Sequence, residues 1–230
     1  MAITVVQTAG PTSDTGTPAT ISQAFASNVT AGNTVIALVY GANWSAASTN
    51  NITASDGTSY TQAIKSGALT DDKTLCAIFY RDNHAGGACT VTATPSSAAQ
   101  RMQIVLIEVS GLDTTNSLED TTTASGTGTA VDAGNLVTAG DAILIQMSVA
   151  NSGYTSISAG TNFVSVGFTV TWTGVIGERR IVTGAGTYAT PSTINTSSQW
   201  QAIGAAFKAG AGGGGSSPSP LKRQLLLGVG

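Results

Sequence analysis

The chain has a single histidine, His84, in the turn Asp82-Asn83-His84-Ala85-Gly86-Gly87. A Ser/His/Asp hydrolase would need this imidazole, yet no G-x-S-x-G elbow or other nucleophile motif accompanies it. His84 therefore reads as a solvated turn residue. A zinc site would need Cys76, Cys89 and His84 to converge with a carboxylate. Paired acids, which glycosidases use as acid and base, occur at Asp71-Asp72 and Glu119-Asp120. Adjacent loop acids of this kind act as solvated turn formers, or at best as calcium ligands. Glu108 is the oddest acid because it interrupts an apolar strand, and its alternation with Val109 places it on a wet face. These residues predict no catalytic group, no metal and no cofactor.

Two further groups have chemical interest. β-Sandwiches often bind sugars through exposed aromatics, and Trp44, Tyr60, Tyr154 and Trp172 are available. Trp44, in a long polar loop, and Tyr154 are the candidate glycan contacts, while Trp172 and Trp200 lie on strands and read as core. Cys76 and Cys89 fall on two strands, Thr74–Arg81 and Cys89–Thr94, joined by the His84 turn. If those strands pair as a hairpin with the two residues directly opposite, a disulfide fits; otherwise both are buried thiols acting as small apolar residues.

The elements that must position these residues are all strands. The segment Thr30–Ala42, TAGNTVIALVYGA, has a second copy at Thr138–Ala150, TAGDAILIQMSVA, and each opens a matching series of strands and turns. Looking for such repeats comes first in reading a fold. Further strands are expected at 3–8, 19–26, Ser59–Ile64, Arg101–Ser110, Val131–Val137, Phe168–Thr173, Val175–Thr183, Thr187–Thr190 and Trp200–Lys208, with Thr121–Thr129 an exposed strand or loop. In Ala142–Ala150, Ile143, Ile145, Met147 and Val149 alternate with Gln146 and Ser148, giving one buried and one wet face. Many strands with turn signals every few residues mean a sandwich or barrel. The expectation is an all-β, antiparallel β-sandwich, jelly-roll-like, over residues 1–209. It is built from two internally repeated halves, 1–112 and 113–209. No linker separates the halves and the second has few aromatics, so each half should contribute strands to both sheets.

Charged residues make up 9% of the 230-residue chain and the net charge is -3, against a globular norm of about 25% charged. Such a surface lacks the Lys and Arg that neutralise phosphates, so nucleic acid is not an expected partner. The apolar runs are of strand length, too short for a membrane span. The start, MAITVVQTAG, lacks the charged and apolar regions of a signal peptide.

Composition changes after Ala209. Residues 210–220 are a flexible Gly/Ser/Pro linker, and 221–230, LKRQLLLGVG, form an apolar peptide. Leu221, Leu225, Leu226, Leu227 and Val229 are too few to span a bilayer and are an aggregation liability if left bare. Such a peptide adds a strand to an exposed edge or fills a groove on a neighbour; the alternative is an inert tail.

The series VTAGNTVIALV, SDGTSYTQA, CAIFYRDNHAGGACTVTAT, IVLIEVSGLD and WQAIGAAFKAG resembles a family of uncharacterised β-sandwich proteins found among bacteriophage virion proteins and bacterial surface proteins. The resemblance covers about 1–209. It implies a virion component, such as a capsid decoration protein or a head or tail fibre, with other virion subunits as partners and no catalytic residues. Assembly in the host cytoplasm and release by lysis fit the missing signal peptide. The expected function is structural, with docking or self-association through the C-terminal peptide. Two alternatives stand beside it: a glycan-binding adhesion module, and a filament subunit that passes its tail to the next copy as a donor strand.

Overall fold

The computed structural model describes residues 2–16, 18–42, 52–69, 74–96, 101–151, 156–168 and 174–211. These residues form antiparallel sheets, and among them no helix is long and apolar enough to cross a membrane. The first half makes two sheets. One contains β1 (Thr4–Asp14), β8 (Arg101–Ser110), β3 (Thr34–Ala42), β6 (Leu75–Arg81) and β5 (Thr61–Lys65), in that spatial order. The other places β7 (Thr90–Pro95) between β2 (Ile21–Ala24) and β4 (Ile52–Ser55).

In the second half, β14 (Gly186–Lys208) lies between β9 (Leu118–Thr138) and β10 (Ala142–Ala150), followed by β13 (Gly174–Val182) and β12 (Val164–Ser165). The short β11 (Ile157–Ala159) pairs with Ser192–Ile194 at the other end of β14. The ladder between β9 and β14 breaks between Thr193 and Ser198. Beyond the break, the outer arms of both strands fold back over their own sheet. Thr122 Oγ1 donates to the Ala133 carbonyl at 2.6 Å, and Leu136 packs on Ala142, Leu144 and Ala206. With β11 these arms make a three-stranded cover, as β2, β7 and β4 do for the first half.

The chain is thus a stack: cover, sheet, sheet, cover. A strand buried on both faces must be apolar on both, and β3 meets that requirement. Ile36, Leu38 and Tyr40 face the core shared by the two halves, where they join Ile143, Ile145, Met147, Ile203 and Phe207. Val35, Ala37 and Val39 face the first cover, with Phe79, Val91 and Ile104.

Three expectations are corrected. The strands segregate by half, so neither half lends strands to the other's sheets; the halves meet face to face instead. The reason is that β3 and β10 each carry two buried faces, which a two-layer sandwich cannot cover. Gln146 and Ser148 are fully buried rather than wet, because the folded-back arms lie over them. Thr121–Thr129 and Val131–Val137 are one strand, β9, and β14 likewise joins two predicted strands. Phe168 packs against the shared core without being in a strand, and 169–173 lie outside the described residues. The two Thr-Ala-Gly segments do open β3 and β10. Laid on one another, however, they put Leu38, in the shared core, on Gln146, which faces the cover. A one-residue slip separates motif from facing, and in a strand that inverts every side chain.

Candidate functional site

Among the described residues, Asp56, His84 and Cys89 form the one group of His, Cys and acid side chains whose ligand atoms lie within 4.8 Å of one another. Three segments bring them together. Asp56 opens the Asp56-Gly57 turn after β4, His84 sits in the connection from β6 to β7, and Cys89 leads into β7. That connection crosses from one sheet to the other, so β6 and β7 are not a hairpin. Its turn uses left-handed Asn83, Gly86 and Gly87. The turn is bonded to the Thr-Ala-Gly segment: His84 N–H donates to Asn33 O, Gly32 N–H to His84 O, and Val29 and Gly87 exchange both bonds.

Asp56 is the acceptor at the centre. Arg81 Nη1 donates to both carboxylate oxygens at 2.6 and 2.8 Å, His84 Nε2 donates at 2.9 Å and Thr58 N–H at 3.2 Å. Tyr60 OH lies at 3.4 Å and Cys89 Sγ at 3.6 Å. Burial by itself pushes the Asp56 carboxyl up. The bonds from His84 and Thr58, with the Arg81 charge, outweigh that and hold it below the ordinary carboxylate value. Burial is also the first cause of the rise in the Cys89 thiol, to about 11, with the neighbouring Asp56 charge adding to it.

The donor types suit zinc, but their bonding does not. Gly86 N–H donates to His84 Nδ1 at 2.9 Å, so the ring proton is on Nε2, where it serves Asp56. A metal on Nε2 would move that proton to Nδ1, against the Gly86 N–H. It would also compete with the Arg81 guanidinium for the same carboxylate. Nucleophilic catalysis fails on the same geometry: the acceptor nitrogen of His84 is engaged by backbone, and Cys89 holds its proton at neutral pH. The cluster clamps three turns together. His84 is therefore buried, not solvated as its turn position predicts.

Glu108 is likewise fully buried rather than on a wet face. It accepts from Gln7 Nε2 at 2.6 Å, Thr30 N–H at 2.8 Å and Asn33 Nδ2 at 2.5 Å. The Thr-Ala-Gly-Asn segment and the Glu-Val-Ser-Gly segment are partners in space, joined through this carboxylate. Glu119 and Asp120 are not free acids for catalysis. They accept the backbone N–H groups of Ala139 and Val137 at 2.9 and 2.7 Å, tying β9's folded-back arm to its own start.

Cys76 and Cys89 are free, buried thiols, so the disulfide does not form. Cys76 faces the shared core and Cys89 the core under the first cover, on opposite faces of one sheet. Burial pushes the Cys76 thiol up to about 12. Tyr60 is also buried, its hydroxyl spent in the Asp56 cluster. Trp44, Tyr154, Trp172, Asp71, Asp72 and the tail residues Leu221, Leu225, Leu226, Leu227 and Val229 lie outside the described residues. Sequence reading missed the Asp56–Arg81 pair. Its only local signal was an Asp-Gly turn, and the partners lie 25 and 28 positions away.

The chain matches no family model, no curated protein and no solved structure.

Proposed function

We propose that this chain is a non-enzymatic structural protein of a bacteriophage virion, a capsid decoration protein or a head or tail fibre, docked through its C-terminal peptide. The observation that carries the reading is the state of the Asp56 cluster. The residues best suited to chemistry are spent on one another, with both nitrogens of His84 engaged and the carboxylate saturated by Arg81. Charges spent on one another in this way support a structural reading over a catalytic one.

The strand orders support the finer part of the reading. In the first half the main sheet runs β1-β8-β3-β6-β5 and the cover β2-β7-β4, an order close to the winding of a jelly roll, with β5 on the main sheet instead of the cover. The second half repeats it with β9, β14, β10 and β13 below a cover of β9, β14 and β11. We read the chain as two such units joined by their larger sheets. Jelly rolls serve in viral capsids and in lectins alike, so the fold alone does not choose.

The docking peptide leaves from a fixed point. Ala209 N–H donates to Asp141 O and Gly210 N–H to Gly111 O, so the linker starts at the seam between the halves. The test is deletion of 212–230, which keeps both anchoring bonds. The truncated protein should stay folded, while particle incorporation, or self-association by light scattering, is lost. Unchanged incorporation and mass would refute tail docking.

A further inference from the structure

At one end of the seam between the halves is a cleft of about 350 Å³, within the ~300–1,000 Å³ range of small-ligand sites. Ala68 and Leu69, after β5, form one wall. Ser125, Thr127, Gln199 and Gln201, from the paired segments of β9 and β14, form the other, with Gly126 and Trp200 between them. Neither half has this cleft alone.

Three properties define what would bind. The side chains that line the cleft among the described residues are all neutral, which suits a ligand that brings no charge of its own. The lining instead offers two hydroxyls and two carboxamides, which both donate and accept. Finally, Gln201, a lining residue only 9% exposed, holds its Oε1 without a partner, whereas the Trp200 indole points to the other face of the sheet, toward the second cover. An unpaired buried acceptor is destabilising, and a ligand hydroxyl at Gln201 would satisfy it.

We propose that this cleft is a binding site for a neutral, hydroxyl-rich ligand, a saccharide, held by Gln201 with Ser125, Thr127 and Gln199. It stands or falls independently of the virion reading.

The test uses the full-length protein labelled with ¹⁵N. The probes are maltose, lactose, cellobiose and N,N′-diacetylchitobiose, with glucosamine and glucuronic acid as charged controls. Each is titrated to about 10 mM, above the millimolar range of weak sites, while the backbone amide cross-peaks are followed. At least one neutral sugar should shift the Thr127 amide peak, and the charged sugars should bind less well. Gln201→Leu should weaken that binding about tenfold or more, without lowering the unfolding midpoint, since it removes an unpaired polar group. Ser125→Phe, an exposed position at the cleft, should block binding and serves if Gln201→Leu fails to fold. The proposal is overturned if no neutral sugar shifts the peak. It is also overturned if binding survives both variants, or if the charged sugars bind as well as the neutral ones.

Discussion

Asp56 shows how much a single acid can hold in a chain with few charges. Its side chain is 5% exposed and Arg81's is 20%, so the pair is desolvated on one side only. Asp56→Asn keeps the shape but strands the guanidinium. It should cost about 3 kcal/mol, near the low end for breaking a buried pair, read as a fall in the urea midpoint at constant slope. Adding Arg81→Met should recover part of the loss, because the stranded charge goes with it. Since the folded carboxyl lies below its ordinary 3.8, its contribution is complete above that pH and fades only as pH falls further. Wild type and Asp56→Asn should converge in stability in strong acid and differ most near neutrality.

At the scale of the element, the two covered sheets are not equivalent inside. Under the first cover, the core is continuous from Val35 to Phe79 and Ile104. Under the second it is split into two apolar clusters, with Gln146, Ser148, Ser192 and Glu178 buried between. Ser148 and Ser192 hydroxyls lie 3.0 Å apart, Gln146 Nε2 reaches both, and Glu178 accepts Gly160 N–H at 2.8 Å. One oxygen each of Gln146 and Glu178, facing register partners on β10 and β13, has no bond. Burial is the largest influence on Glu178 and raises its carboxyl to about 7, against the bonds from Gly160 and Ser192 that lower it. The folded protein therefore keeps a proton that the unfolded chain releases near 4.5. The resulting stabilisation is complete below that pH and is lost as pH rises through about 7. Glu178→Gln, which is neutral throughout, should flatten this decline, so that the variant gains on wild type between pH 5 and 9 by a shift on the order of 3 kcal/mol. A decline that is equally steep in the variant would place its origin elsewhere.

For the whole molecule, the shared core makes the two halves one unit of stability. Leu38 from the first half lies fully buried among Ile145, Met147 and Ile203 of the second. Leu38→Ala should cost about 2–5 kcal/mol and lower the melting of both halves together. Amide exchange in β8 and in β10 would report each half separately. If only β8 lost protection, the halves would be independent domains and the shared core a weak interface.

Periodicity and composition determined that the chain is all-β and placed most strands, because a strand's facing is written in every second residue. They also singled out the Thr-Ala-Gly segments and Glu108 as unusual. Facing within the stack was another matter. Whether Gln146, Ser148 or Glu108 meets water depends on what lies over the strand, and the groups that cover these residues come from 44 to 101 positions away. The same holds for the cysteines, which a hairpin would have joined and a crossover between sheets set on opposite faces. The clamp at Asp56 and the cleft at Gln201 are products of tertiary structure alone. Each joins segments with no local mark of their meeting, because burial and hydrogen bonding act through space while pattern is read along the chain.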